Sequence, residues 1–302
     1  MLTDLDLEAL WRYRSTYSKP ADFDSFWDAT LAEARSFALD VEAVPVDTPL
    51  RTLDVHDVSF AGFGGDRIRA WLRTPRGASG LPAVVQYHGY GGNRGSAVEN
   101  LTWASAGFAH LQVEVRDQRG GTGFMTRGIA DPATYFYRRV YVDAVRAVEA
   151  VRALGSADVA VIGNSQGGGV ALAVAGLVPD LAAVHAQAPF LCDFRRALNV
   201  CGRPPFTELT TYLAENRRAD VFPALSYFDG VGFAGRAMAP AWFSIGLMDD
   251  IVPPSTVFGA YHAYAGPKEI SVWQHSAHEA GGSDDLDIAL DAFRSRLFQE
   301  KP

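Results

Sequence analysis

Three consecutive segments, Asp158-Val-Ala-Val-Ile162, Gly163-Asn-Ser165-Gln-Gly167 and Gly168-Gly-Val-Ala-Leu-Ala-Val-Ala-Gly-Leu177, carry the reading of the whole chain. A short β-branched run is followed by G-x-S-x-G and then by a small-residue stretch at helical length, which reads as strand, sharp turn and helix with Ser165 at the apex. The glycines two places before and after the serine let strand and helix pass without a clash while Ser165 is held in a strained backbone conformation. Such a turn exposes the hydroxyl and aims the next backbone N–H groups, at a helix N-terminus, toward a developing oxyanion. In a chain with 29 glycines the plain alternative is a structural glycine turn. The strand before and the helix after favour a nucleophile elbow. A base, a carboxylate to orient it and a second oxyanion donor must then come from elsewhere in the chain.

The composition is compatible with that chemistry and excludes others. The 302 residues are 48% hydrophobic and 21% charged, enough for one large α/β domain or two small ones. A formal net charge of −8 argues against a nucleic-acid partner, which requires basic faces. Cys192 and Cys201 are too few for a disulfide framework and read as buried free thiols in a reducing compartment. The N-terminus, Met1-Leu-Thr-Asp-Leu-Asp-Leu-Glu-Ala-Leu10, is acidic and amphipathic and lacks the pattern of a signal peptide. No stretch approaches the ~18 uninterrupted apolar residues of a membrane span, so no membrane partner is expected and a cytoplasmic location is.

Along the chain, Phe23, Phe26, Trp27, Thr30, Leu31 and Ala34 recur at helical spacing, predicting an amphipathic N-terminal helix over 22–38 packed on the main body. Leu53–Phe60 and Arg67–Leu72, separated by Ala61-Gly-Phe-Gly-Gly-Asp66, read as an antiparallel hairpin. Buried-type strands follow at Leu81–Tyr87 and Phe108–Val115. Asp131-Pro132 is read as the cap of a helix over 133–154, with Val140, Tyr141, Ala144, Val145, Val148 and Val151 as its buried stripe. After the elbow come a strand at Leu181–Ala188, an excursion over 189–238 with a helix at Glu208–Arg218, and a strand at Ala241–Met248. A helix at Ser255–Tyr264, a strand at Glu269–Gln274 and a helix at Asp284–Gln299 close the chain. This alternation predicts a single α/β domain. Its sheet is mostly parallel and doubly wound with an antiparallel start, and 189–238 is inserted as a lid or subunit interface. Ligands of such sheets bind at the carboxyl ends of the strands, where Ser165, Asp249, His278, Tyr90 and Arg116 all fall.

A serine hydroxyl needs a base to take its proton. On hydrolase sheets with an elbow the order is serine, acid, histidine, which makes His56, His88, His110 and His185 poor candidates and leaves the last histidines. His262 falls inside a helix. His275 and His278 both follow the final strand, and His278, deeper in the loop beside Glu279 and glycines, is the better candidate base. The orienting carboxylate should follow Ala241–Met248 as Asp249 or Asp250, with Asp249 nearer the strand and more constrained. The loop His88-Gly-Tyr90-Gly-Gly is an H-G-x sequence after a strand, which offers the Tyr90 amide as second oxyanion donor and makes its side chain incidental. A glycine-rich connection is the plain reading of that loop. No metal-ligand spacing such as H-E-x-x-H and no cofactor-binding motif is found.

Together these residues resemble the acetyl xylan esterase / cephalosporin C deacetylase family, carbohydrate esterase family 7, of the α/β-hydrolase superfamily. The resemblance runs nearly the whole length, through Phe23–Leu31, Gln86–Tyr90, Gly123–Gly128, Asp131–Arg139, Asp143–Glu149, Ser165–Gly169, Pro189–Cys192, Leu225–Gly230, Gly246–Asp249, Pro253–Phe258 and His278-Glu279. It implies an α/β-hydrolase fold and a Ser165–Asp249–His278 triad. It also implies an oxyanion hole from the amides of Gln166 and Tyr90, with Arg116 and Gln118 supporting the site. The implied activity is deacetylation of small acetylated molecules, including xylo-oligosaccharides and cephalosporins. Ring-shaped homo-hexamers are implied as well, with 189–218 helping to form the interface. Two departures stand out. Aspartate replaces glycine in the family's R-G-Q, here Arg116-Asp117-Gln118, and so carries strain if that position has positive φ. The segment Arg119–Phe124 is shorter than the family's acidic loop, an expected influence on pocket width and subunit packing.

Overall fold

A computed structural model of the chain describes residues 2–217 and 220–298. Helices α1 (Leu7–Arg12) and α2 (Phe23–Arg35) precede strands β1 (Glu42–Pro45), β2 (Leu53–Ala61), β3 (Arg67–Pro75) and β4 (Ala83–Tyr87). Then follow α3 (Thr102–Ser105), β5 (Ala109–Val113), α4 (Phe136–Ala153), β6 (Val159–Asn164), α5 (Gln166–Leu177) and β7 (Ala183–Gln187). The excursion carries α6 (Phe194–Val200), α7 (Phe206–Glu215), α8 (Phe222–Leu225) and α9 (Gly230–Ala234). The alternation resumes with β8 (Ala241–Gly246), α10 (Pro254–Ala263), β9 (Lys268–Trp273) and α11 (Ser283–Leu297).

All strands join one nine-stranded sheet in the order β1-β2-β3-β5-β4-β6-β7-β8-β9. The pairs β1–β2, β2–β3 and β3–β5 are antiparallel, and from β5 through β9 every pairing is parallel. This is the mostly parallel, doubly wound α/β-hydrolase sheet with an antiparallel start. The hairpin register sets Leu53 opposite Pro75 and Ala61 opposite Arg67.

Strand alternation divides the core between the two faces. On β4, Val84 joins a cluster with Trp103, Phe108, Ala160, Ile162, Ala183, Ala289 and Phe293, while Ala83, Val85 and Tyr87 enter the larger core on the other side. That larger core takes the buried face of α2, including Phe23, Trp27, Thr30, Leu31 and Ala34, and the predicted stripe of α4. Helix α5 is buried along its whole length, which is why its sequence is small. A Cβ on Gly169 would strike the Phe190 carbonyl, and one on Gly176 would press on Phe233. Cys192 and Cys201 are free and buried.

Three local expectations need correction. Helix α4 starts at Phe136, because Asp131 closes a turn ahead of it: its Oδ1 accepts from Ala133 N at 2.8 Å and its carbonyl accepts from Thr134 N and Tyr135 N. Strand β1 was not anticipated, since its four residues are exposed at the sheet edge and carry no apolar alternation. In the excursion the helix runs Phe206–Glu215 rather than from Glu208, and Arg218 lies outside the described residues. Among the described residues no helix is long and apolar enough to cross a membrane.

Candidate active site

Ser165 sits between β6 and α5 with φ 56° and ψ −122°, a region that non-glycine residues enter only under strain of roughly 1–3 kcal/mol. The surrounding bonds hold it there. Its N–H donates to the Gln187 carbonyl at 2.9 Å, and its own carbonyl accepts from Gly169 N and Phe190 N at 3.1 and 3.0 Å. Gly163 and Gly167 are required by close approach: a Cβ on the first would collide with the Gly167 backbone, and one on the second with the Tyr87 carbonyl. Gln166 follows as the first residue of α5, so its N–H has no intrahelical partner and faces outward from a helix N-terminus.

The loop after β8 delivers a fully buried carboxylate. Asp249 Oδ1 accepts from Ile251 N at 2.9 Å and Val252 N at 2.8 Å, which fixes the plane of the group. Its Oδ2 stands 2.8 Å from His278 Nδ1. With Nδ1–H donating to that carboxylate, Nε2 carries the lone pair and is the nitrogen free to act as a base. Asp250 turns the other way, to a surface pair with Arg203 Nε at 2.7 Å. The adjacent carboxylates thus differ in what they touch, and only Asp249 meets the imidazole. A further bond comes from the N-terminus, where the Thr3 hydroxyl donates to the Asp249 carbonyl at 2.6 Å.

Gln187, at the carboxyl end of β7, links the two halves. Its carbonyl holds Ser165 N, and its Nε2 donates at 2.7 Å to the carbonyl of Glu279, next to His278. A polar residue ending the apolar run Ala183-Val-His-Ala-Gln187 was the available signal for it. Beneath the same loop, buried Asp285 accepts from Gly281 N, Ser244 Oγ and Trp273 Nε1. The Glu279 side chain accepts from Ala277 N at 3.0 Å within its own turn, and its exposed carboxyl is held below the ordinary glutamate range chiefly by that bond.

The loop after β4 borders the serine: a Cβ on Gly89 would lie 3.9 Å from Ser165 Cβ. His88 anchors the loop rather than serving as a base. Its Nε2 accepts from Val115 N at 2.9 Å while Nδ1 donates to the Gly89 carbonyl at 2.8 Å, and burial lowers its pKa, so the ring is neutral. The Tyr90 side chain has partners of its own. Its hydroxyl donates to Glu208 Oε1 at 2.7 Å and accepts from Phe124 N at 2.9 Å.

Gln118 and Gln166 exchange amide hydrogen bonds at 2.9 and 2.8 Å, and the Tyr137 hydroxyl donates to Gln166 Oε1 at 2.9 Å. Gln118 is therefore in contact with the elbow helix. Arg116 is not: its buried guanidinium goes to Asp143, Asp66 and the Phe63 carbonyl, none of them a candidate site residue. The intervening Asp117 has φ 59°, so it occupies the left-handed conformation that suits glycine, with Arg127 as an ion-pair partner at 3.2 Å. Of the other histidines, His110 and His185 are core residues of β5 and β7, and His262 lies on α10 against the Leu10 carbonyl. Among the described residues no group of three or more histidine, cysteine, aspartate or glutamate side chains is arranged to hold a metal ion.

A strained serine at a helix N-terminus, an imidazole oriented by a buried carboxylate and a glycine-rich loop bordering the serine together have the makings of acyl transfer. Comparison with known proteins agrees. Residues 1–291 match the family model described as Acetyl xylan esterase (AXE1). The structure is similar to an acetyl xylan esterase from Paenibacillus sp. R4, with 37% identity and a TM-score of 0.91 over 95% of this chain and 99% of that one. It is also similar to acetyl xylan esterase 1 from Thermoanaerobacterium sp. JW/SL YS485, with 31% identity and a TM-score of 0.88 over 96% and 99%. A curated relative, the acetyl esterase Axe7A of Xylanibacter ruminicola, is 30% identical over 288 residues, 87% of this chain and 64% of that protein. The chain thus spans less than two thirds of that relative's length.

Proposed function

Because the chain belongs to the acetyl xylan esterase family, a family of carboxylic ester hydrolases, we propose that it is a serine esterase that removes acetyl groups from small acetylated carbohydrates such as xylo-oligosaccharides and from cephalosporin-type acetyl esters. The observation that carries the reading is the 2.8 Å contact of His278 Nδ1 with Asp249 Oδ2, made by a buried carboxylate whose other oxygen is saturated by backbone amides.

In this reading Ser165 Oγ attacks the acetyl carbonyl carbon as His278 Nε2 takes the hydroxyl proton. Asp249 keeps the imidazole in the Nδ1–H tautomer and stabilises the imidazolium. The tetrahedral oxyanion accepts hydrogen bonds from the amides of Gln166 and Tyr90. His278 then returns the proton to the departing alkoxide, leaving an acetyl-enzyme and a free alcohol. Water, deprotonated by His278, attacks the acetyl-enzyme to release acetate and regenerate Ser165. No cofactor enters the scheme. The same reading assigns 189–238 to a lid and subunit interface, expects a homo-oligomer that is hexameric by family resemblance, and expects a cytoplasmic setting.

One feature favours a second reading, a general short-chain carboxylesterase using the same residues: the short segment Arg119–Phe124 beside Tyr90. Steady-state kinetics on acetylated xylobiose, cephalosporin C and acetyl, butyryl and octanoyl p-nitrophenyl esters separates the two. A deacetylase turns over the acetyl esters and loses roughly tenfold or more in kcat/KM at butyryl, because a closed acyl pocket rejects added methylenes. Equal turnover of butyryl and octanoyl esters would replace the deacetylase reading with the general one.

A further inference from the structure

Tyr90 lies in Gly89-Tyr90-Gly91-Gly92, where it has the only side chain between His88 and Asn93. Three glycines make this backbone the least self-determined part of the site, and Gly91 occupies φ +67°. Backbone bonds constrain the flanks: Gly92 N donates to the Gly89 carbonyl at 3.1 Å and Gly120 N to the Gly91 carbonyl at 2.9 Å. The contact of Gly91 N with Gln118 Oε1 is long, at 3.4 Å. What fixes Tyr90 itself is its hydroxyl, held by a carboxylate from the inserted helix α7.

That carboxylate, Glu208, gathers three donors from two separate loops. Oε1 accepts from the Tyr90 hydroxyl at 2.7 Å and from Gly123 N at 2.9 Å, and Oε2 accepts from Met125 N at 3.1 Å. Phe124 N completes the ring by donating to the Tyr90 oxygen at 2.9 Å, and the Phe124 ring packs edge-on against Tyr90 with centroids 5.6 Å apart. The short segment after Gln118 is itself glycine-rich, Arg119-Gly-Gly-Thr-Gly-Phe124, with Gly120 and Gly123 at positive φ. Two glycine-rich loops are thus locked to each other and to the insertion by one side chain, with charge-assisted bonds stronger than neutral ones.

We propose that Glu208 is a positioning residue for the candidate oxyanion hole: through the Tyr90 hydroxyl it sets the position of the Tyr90 backbone N–H, and through Gly123 and Met125 it ties the shortened loop to the same point. The proposal rests on the esterase reading above. The Glu208 carboxylate is committed to Tyr90, Gly123 and Met125 and bonds none of Ser165, Asp249 and His278. Its effect is on transition-state binding, because an N–H displaced from the oxyanion loses most of its contribution while ground-state binding is little changed.

The test is p-nitrophenyl acetate hydrolysis by wild type, Tyr90→Phe, Glu208→Gln and the double variant, with thermal unfolding and fluorophosphonate labelling of Ser165 measured on each. Tyr90→Phe removes one hydroxyl, and Glu208→Gln replaces an acceptor oxygen with an N–H that faces another donor. Each single variant is expected to lower kcat by about tenfold with KM changed less than about twofold, a fraction of the loss for deleting an oxyanion donor outright. The double variant should be no slower than the slower single, since both act through one link. A boronic acid that forms a tetrahedral anion on the serine should lose affinity by the same factor as kcat. Unchanged kcat in Glu208→Gln, independent multiplying losses in the double variant, or a loss confined to KM overturns the proposal. Failure of the wild type to label at Ser165 overturns the esterase reading instead.

Discussion

Asp249 and Asp250 are chemically identical and adjacent, yet one is fully buried against His278 and the other lies at the surface on Arg203. Strand geometry made Asp249 the better candidate in the sequence, but the partner of each carboxylate depends on loops far away in the chain. Asp249→Asn places an amide where the tautomer is set, so kcat should fall by about 10⁴-fold with the fold unchanged. Asp250→Asn loses only an exposed ion pair worth little and should keep wild-type rates. Ester kinetics on the two variants checks this, and equal effects would reject the assignment. The residue scale is also where sequence reasoning lost most. The strained turn at Ser165 could be read from G-x-S-x-G, because glycine spacing reports backbone geometry. The Tyr90–Glu208 and Gln187–Glu279 contacts could not, because they join residues 118 and 92 positions apart. Arg116, expected to support the site from its place after a strand and from the family resemblance, has a buried partner, Asp143 on α4, that only the folded contacts show.

At the scale of elements, strand and helix order was legible because apolar runs alternate with amphipathic stretches, and errors fell where turn chemistry mimics a cap, as at Asp131. Strands β5 and β7 also bring a pH dependence. Burial pushes His110 down to about 3, with Arg73 adding to the effect, and pushes His185 down to about 4 against the opposing pull of Asp285. Above the unfolded histidine value of about 6.5 both states are neutral and the stability is intact. As pH falls below it the unfolded chain takes up protons that the native state refuses, so stability is lost down through the folded values. By pH 4.5 the loss is about 2.6 kcal/mol per histidine. Asp229, raised to about 7 by burial, works in the opposite sense: its contribution is full below the unfolded aspartate value of about 3.9 and is lost as pH rises from there to about 7. The histidine part is isolated by comparing urea unfolding of wild type and His110→Asn at pH 7.5 and 4.5. The variant should lose less stability between the two, and parallel losses would show that His110 does not carry the effect.

For the molecule as a whole, the parallel sheet from β5 to β9 collects loop ends at one edge, and the elbow, the Asp249 loop, the His278 loop and the Gly89–Gly92 loop all leave from it. That convergence was legible because alternating strands and helices make the strands parallel, so their carboxyl ends share one end of the sheet. The path of the excursion over 189–238 was not. Its helix α7 returns to the site loops through one acidic residue in its first turn, and in the sequence Glu208 is indistinguishable from any acid favoured at a helix N-terminus. In the proposed reading the strained Ser165, the oriented His278 and the loops clamped beside them serve one step, nucleophilic attack by Ser165. The most direct measurement is therefore kcat/KM for p-nitrophenyl acetate in wild type and Ser165→Ala, with folding of both verified by circular dichroism. Wild-type turnover with a fall of at least ~10⁴-fold in Ser165→Ala is the expected result; a variant that retains most of the wild-type rate would contradict the assignment of Ser165 as the nucleophile.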